Sequence, residues 1–414
     1  MLTPYRELFV THGAWAFSLA GFVARMPISM VGLGIVLLVS AVTGEYGMAG
    51  ALSATFALTQ AVVSPQVARL VDRLGQARVT VPGLAVFAAG LVALLLLVEA
   101  GAPSWTLFAS TAVAGAAMPP VGSLVRARWS HALRGSPRLH TAYSFESVVD
   151  ELIFVVGPVL VTVLAIQVDR FAGLFAVLVL SVVGTLAFTA HRVSEPPPSG
   201  LGHREAGSVL AVPGLRVVFG CFIALGGFFG SFEVIVVAFA SEQGLRVLSG
   251  VVLALYAVGS FLAGLAYGAV RFRAPLHRRF RTASAFTAVS VLPLLVVGGL
   301  GSLPLLAVLA FLAGFAASPL LIGGFALVER LAPASRLTEG LTWAVTGVVL
   351  GVTAGASVSG WAIDRFGAGP AFAVPVVSGV TTALVAFTGT RWLGPQGPDR
   401  EEEHGSADAA QLGP

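Results

Sequence analysis

The sequence predicts an all-α polytopic membrane protein with twelve transmembrane helices in two six-helix bundles. First, 56% of its 414 residues are hydrophobic and only 11% are charged, whereas soluble domains carry roughly 25% charged residues. Second, apolar runs of about 20 residues recur along the chain. Third, short motifs reappear after nearly half its length. These features predict two related bundles embedded in a bilayer.

Charged or Gly/Pro-rich breaks divide the chain into twelve apolar segments. Each is long enough to cross a hydrocarbon core of about 30 Å. The 49 glycines suit close helix packing in lipid. The predicted spans are 12–42, 47–68, 77–98, 104–125, 140–167, 171–191, 214–241, 246–270, 280–301, 303–328, 337–364 and 369–391.

Two pairs of motifs indicate an internal repeat. Asp-Arg-Phe closes the fifth span at 169–171 and the eleventh at 364–366, an offset of 195 residues. GEYG around Glu45 and SEQG around Glu242 follow the first and seventh spans, an offset of 197. Such parallel repeats are related by a pseudo-twofold axis along the membrane normal, with the substrate site near the midplane.

A polar, proline-rich stretch from His191 to Gly214 separates the repeats. The predicted domains are an N-terminal bundle at 1–190, a cytoplasmic linker at 191–213 and a C-terminal bundle at 214–392. A polar tail at 393–414 is predicted to be disordered.

Arginine positions predict the orientation. With the N-terminus in the cytoplasm, 20 of the 24 basic residues fall on the cytoplasmic side, and only Arg170, Arg246 and Arg365 fall outside. The remaining one, Arg25, lies within a span. By the positive-inside rule both termini are cytoplasmic in a multi-pass cell-membrane protein. This bias accounts for the basic residues without a nucleic-acid partner.

Several function classes lack their sequence signatures. The single cysteine, Cys221, lies in an apolar segment, so we expect neither a disulfide framework nor a cysteine-based metal site. The sequence contains no HExxH, GxSxG or Walker-type fingerprint. We therefore expect no enzyme activity, no cofactor and no metal.

The stretch YSFESVVDELIFVVGPVL (143–160) holds three carboxylates, Glu146, Asp150 and Glu151. An ionised Asp at the centre of a membrane helix costs roughly 2.5–3.5 kcal/mol. Arg25 is the basic residue deepest in a predicted span. We expect Arg25 to pair with Asp150 or Glu151 while the other titrates; the alternative is an ion pair that only fixes packing.

Other polar and aromatic residues inside spans are further candidates. Glu233, toward the outer end of the seventh span, is a candidate for substrate recognition or a second proton site, with snorkelling to the interface as the alternative. Three residues are candidates for lining a cavity, or alternatively for packing: Gln60, Tyr256 and Trp343.

The loop ARLVDRLGQAR resembles the Gly-x-x-x-Asp-Arg-x-Gly-Arg-Arg/Lys pattern of the major facilitator superfamily. Ala68 replaces the first glycine, and the basic requirement is met at Arg78. The resemblance implies that family's fold and a conformational latch that stabilises the outward-open form, formed by Asp72, Arg73, Gly75 and Arg78. Physically, Asp72 can face the positive N-terminus of a neighbouring helix; the alternative is a topology signal with a tight turn.

The fifth span also resembles drug/proton antiporters of bacteria within that superfamily, through Gly157-Pro158. The alternative is a simple helix kink, because proline removes one backbone hydrogen bond. The fourth-span segment STAVAGAAMPP lacks the arginine that those antiporters carry.

Together these features predict a secondary active transporter that acts as a monomer and exports a small amphipathic or cationic compound in exchange for protons by alternating access. Its predicted partners are that compound, protons and membrane lipid. A proton-coupled importer of a sugar or amino acid is the alternative, followed by a channel or a non-transporting receptor on the same fold.

Overall fold

A computed structural model describes residues 3–200, 207–270 and 272–394. Residues 201–206 of the predicted linker and 395–414 of the predicted tail lie outside the described residues. A short amino-terminal helix, Thr3–Leu8, precedes twelve helices long and apolar enough to cross a membrane. They are α1 Ala14–Thr43, α2 Gly47–Leu74, α3 Gln76–Glu99, α4 Ser104–Ala132, α5 Arg138–Val168, α6 Ala172–Ala190, α7 Pro213–Glu242, α8 Ser249–Ala269, α9 Leu276–Leu300, α10 Leu303–Leu331, α11 Ala334–Phe366 and α12 Ala368–Thr388.

These helices confirm the predicted fold class. We call α1–α6 the N half and α7–α12 the C half. Because the number of described spans is even, the first span begins and the last span ends on the same side of the bundle, hereafter the termini side.

The fourth span differs from its prediction. It breaks at Met118–Pro120 and then continues as a helix to Ala132, so the predicted end at residue 125 is wrong. Arg126 and Arg128, assigned from sequence to a loop, are therefore helical and buried. Hydropathy ends a span where charge begins, but these guanidinium groups find hydrogen-bond partners inside the protein.

The halves meet at the termini side, where α2 packs on α11 and α5 packs on α8. Thr141 of α5 donates to the Gly268 carbonyl of α8 at 3.0 Å. The amino-terminal helix adds Tyr5, whose hydroxyl donates to the Leu265 carbonyl at 2.8 Å. Burial raises the pKa of Tyr5 to about 12, so this phenol remains a donor at neutral pH.

Within the C half, α7 and α11 touch through glycines. A Cβ atom at Gly351 would overlap the Ile223 carbonyl, and one at Gly230 would overlap the Val352 carbonyl. Small residues thus allow the two backbones to lie in contact, as is typical of helix pairs in lipid.

We expect Gly351→Val to destabilise the protein by about 1–3 kcal/mol, because the new side chain must displace α7 backbone. Thermal unfolding can be followed with a fluorogenic maleimide that reacts with Cys221, the single and buried cysteine. Gly360→Val is the matched control, since a Cβ there meets nothing within 4 Å. Equal melting temperatures for the two variants would contradict this packing.

Candidate functional site

A buried cluster of charges lies between α1 and α5. Arg25 pairs with Glu146 at 2.5 Å and with Asp150 at 2.8 Å, and its Nε donates to the Gly21 carbonyl. Glu146 and Asp150 are one helical turn apart and share a face of α5. Arg25 therefore contacts two of the three carboxylates singled out in the sequence.

Arg126 of α4 completes this cluster, and sequence reasoning missed it. Its guanidinium donates to Asp150 at 2.6 Å and lies 4.0 Å from the ring centre of Phe325 in the C half. Asp150 thus bridges two arginines, one oxygen to each. The available signal was the run of arginines after the fourth span, which also suits a topology-determining loop.

Trp129, one turn after Arg126, holds the carboxylate of Glu146 in place. Its indole nitrogen donates to Glu146 at 2.6 Å, and its ring packs against Phe17 at 4.8 Å between centroids. Glu146 is thereby satisfied on both oxygens although it is fully buried.

The four charges of this cluster sum to zero: Arg25, Arg126, Glu146 and Asp150. Arg25 and Glu146 have exposed fractions of 4% and 0%, whereas the Asp150 side chain is 33% exposed. Asp150 is therefore the less buried of the two carboxylates in the cluster.

Glu151 points to a different neighbour. Its carboxylate accepts a hydrogen bond from Ser260 of α8, in the C half, at 2.5 Å. Ser260 also bonds Ser318 of α10 at 2.8 Å. Among the described residues Glu151 enters no ion pair, so Arg25 engages Asp150 and not Glu151.

Asp72 joins the halves at the termini side. It accepts hydrogen bonds from the backbone amides of Thr338 and Glu339 at 3.1 and 2.9 Å. These amides lie in the first turn of the α11 helix, where the macrodipole favours negative charge.

The other predicted latch residues lie where α2 ends and α3 begins, close to Asp72 in the chain. Arg73 is half-buried and Arg78 is exposed. Gly75 has a φ of +99°, which favours glycine. Beside it, Glu195 of the linker accepts from the Ala77 amide at the start of α3 at 3.1 Å.

The remaining candidates are dispersed. Glu233 is exposed on α7 and Gln60 is half-buried on α2. Trp343 packs edge-on against Phe219 at 5.4 Å. Tyr256 contacts a group of phenylalanines on α7: Phe228, Phe229 and Phe232.

Gly157 allows α5 to approach α1 closely, because a Cβ there would overlap the Ser29 hydroxyl. Ser29 donates to the Ile153 carbonyl at 2.9 Å. Pro158 lies within the helix.

In the part of the chain that the structure describes, no group of three or more His, Cys, Asp or Glu residues is placed to hold a metal.

We expect Arg25→Leu to lower the free energy of unfolding by about 3–5 kcal/mol, since it leaves Glu146 buried without a counter-charge. Arg25→Leu/Glu146→Leu should recover part of this loss. Thermal exposure of Cys221 measures both. A single variant as stable as the wild-type protein would contradict an ion pair at this position.

We expect Asp72→Ala to open the termini side. Ala127 lines a cavity of about 170 Å³ between the halves there and is only 3% exposed. Maleimide should label Ala127→Cys, in a Cys221→Ala background, several-fold faster once Asp72 is removed. Asp169→Ala is the control. Asp169 also accepts a hydrogen bond from a backbone amide, that of Phe171, but this bond lies within the N half and not between the halves. Unchanged labelling would mean that the Asp72 contact does not hold the halves closed.

Solved structures share this fold at low sequence identity. The human organic anion transporter MFSD10 (TETRAN) aligns with a TM-score of 0.66 at 16% identity, over 95% of this chain and 100% of that one. A bacterial homologue of the iron transporter ferroportin, in an outward-facing state, aligns with a TM-score of 0.71 at 15% identity, over 91% of this chain and 99% of that one. The E. coli fucose:proton symporter FucP aligns with a TM-score of 0.68 at 14% identity, over 92% of this chain and 98% of that one.

No curated protein matches the sequence. The family model described as Major Facilitator Superfamily matches residues 17–302, which is more than half of the chain. With twelve spanning helices and solved structures of that fold beside it, the chain belongs to the Major Facilitator Superfamily of transporters.

Proposed function

We propose that this protein is a proton-coupled secondary transporter that exports a small amphipathic or cationic compound across the cell membrane. In this proposal the termini side is cytoplasmic and the protein works as a monomer. The observation that carries it is the placement of Asp150 and Glu151. Both are carboxylates within a predicted span, one partly exposed and the other bonded across the two halves.

Alternating access is supported by the way in which the halves meet. Each half packs internally through helix backbones, whereas the contacts between halves include polar ones such as Asp72 with the α11 amides. Such hydrogen bonds can exchange for bonds to water as the halves rock about a central site. The termini side is closed in the state described here.

Proton coupling is supported by the charge arrangement. Asp150 takes part in two ion pairs, with Arg25 and with Arg126. Protonating it would leave the neutral cluster with an excess positive charge, and the arginines would then be free to take other partners. Protonation at this site is therefore coupled electrostatically to the packing of α1, α4 and α5.

A cationic substrate is supported by the carboxylates that lack counter-charges. Glu151 and Glu233 enter no ion pair within the described residues, while Arg25 and Arg126 are already neutralised. An unpaired carboxylate beside aromatic rings such as Tyr256 suits an amphipathic cation. Export follows from the resemblance of the Gly157-Pro158 segment to drug/proton antiporters.

We expect lipophilic cations to dissipate a respiration-driven pH gradient in everted vesicles that contain the wild-type protein. Asp150→Asn/Glu151→Gln should abolish this dissipation, because neither side chain can then carry a proton. A fluorescent pH probe reports the gradient, and Glu195→Gln, a substitution in the linker, is the control for expression and general charge loss.

The sign and range of the response separate the alternatives. Proton movement in the symport direction on addition of a sugar or amino acid would replace export with nutrient import. Conductance that does not saturate and ignores both substitutions would indicate a channel. Dissipation that persists in the double variant would remove these two carboxylates from the proton path.

A further inference from the structure

A pair of serines in the C half is positioned against the unpaired carboxylate of the N half. Ser260 and Ser318 are both fully buried, and their hydroxyl oxygens lie 2.8 Å apart. Ser260 also reaches Glu151, at 2.5 Å. The three groups form one continuous chain of hydrogen bonds across the boundary between the halves.

The packing of α8 on α10 holds this pair in place. A Cβ atom at Gly259 would overlap the Phe311 carbonyl, and one at Gly314 would overlap the Tyr256 carbonyl. The two helix backbones therefore touch next to the serine pair, within two helical turns on its amino-terminal side. Because neither backbone can shift toward the other, the packing sets how closely α8 and α10 approach at the serine pair.

Hydrogen counting gives this chain a direction. An ionised carboxylate only accepts hydrogen bonds, so Ser260 must donate to Glu151 and its single hydrogen is then used. The bond between the serines must consequently have Ser318 as its donor. If Glu151 takes up a proton, its carboxyl group can donate to Ser260, and Ser260 can then donate to Ser318.

We infer that Ser260 and Ser318 are positioning residues that transmit the protonation state of Glu151 to the C half. This inference rests on the proposed function. With Glu151 ionised, the bond from Ser260 is charge-assisted and holds α5 against α8. With Glu151 neutral, the bond is an ordinary one and the hold of the C half on the N half is weaker.

The other ionisable groups near Glu151 have different roles. Asp150 is bonded to Arg25 and Arg126 on the neighbouring face of α5. On α8, the hydroxyl oxygen of Tyr256 is buried and has no hydrogen-bond partner in the described part of the chain. On α10, Glu329 accepts a hydrogen bond from Ser130.

The test measures conformation and needs no substrate. Spin labels at Ala132→Cys and Thr282→Cys, both exposed and in different halves, are introduced in a Cys221→Ala background. Pulsed electron paramagnetic resonance in lipid nanodiscs then gives the inter-label distance as a function of pH. The midpoint of the distance change is compared among variants.

We expect Ser260→Ala to move this midpoint upward by about one pH unit, because the ionised carboxylate loses a charge-assisted bond. Ser318→Ala should move it in the same direction by less, and Ser260→Thr should restore it. Ser231→Ala should leave it unchanged, since Ser231 is equally buried but bonds only the carbonyl of Phe228 in its own helix.

The outcomes separate the two proposals. A pH-dependent distance in the wild-type protein that Glu151→Gln removes, with an unmoved midpoint in Ser260→Ala, would overturn the serine pair alone. A distance in the wild-type protein that does not change with pH would overturn the serine pair together with proton coupling at Glu151.

Discussion

Neutralising buried charge is the constraint on which the N half depends. Each ionised group in a membrane span costs several kcal/mol unless it is paired, and four such groups lie together here. They come from α1, α4 and α5, so pairing of Arg25 and Arg126 with Glu146 and Asp150 fixes the rotation and depth of all three helices. A cluster that must stay neutral responds as a unit when one member gains a proton.

Different physical contacts hold each half together and join the halves. Inside the C half, glycine allows α7 and α11 to pack backbone to backbone, and such contacts are lost altogether if the helices separate. Between the halves there are many hydrogen bonds, and each contributes little net free energy because water can replace it. Rocking motion requires rigid bundles and an interface between them whose hydrogen bonds can be exchanged for bonds to water.

The sequence was informative where composition decides structure and uninformative where tertiary contacts do. Spans and the deep carboxylates Asp150 and Glu151 follow from hydropathy alone, whereas the full burial of Glu146, near the end of its predicted span, does not. Arg126 did not, because a charge at the end of an apolar run looks like a loop until its partner Asp150 is known. Ser260 carries no sequence signal, since serine is common in membrane helices, and its importance comes entirely from a neighbour 109 residues away in the chain.

The contact at Asp72 has a consequence for how freely the C half can vary. Asp72 bonds the main-chain amides of Thr338 and Glu339. Every amino acid except proline supplies that donor, so the two amide bonds themselves do not depend on the identity of the side chain. The N half therefore supplies a single specific acidic residue to this contact, whereas the C half supplies backbone amides at a helix start, a geometry that many sequences share.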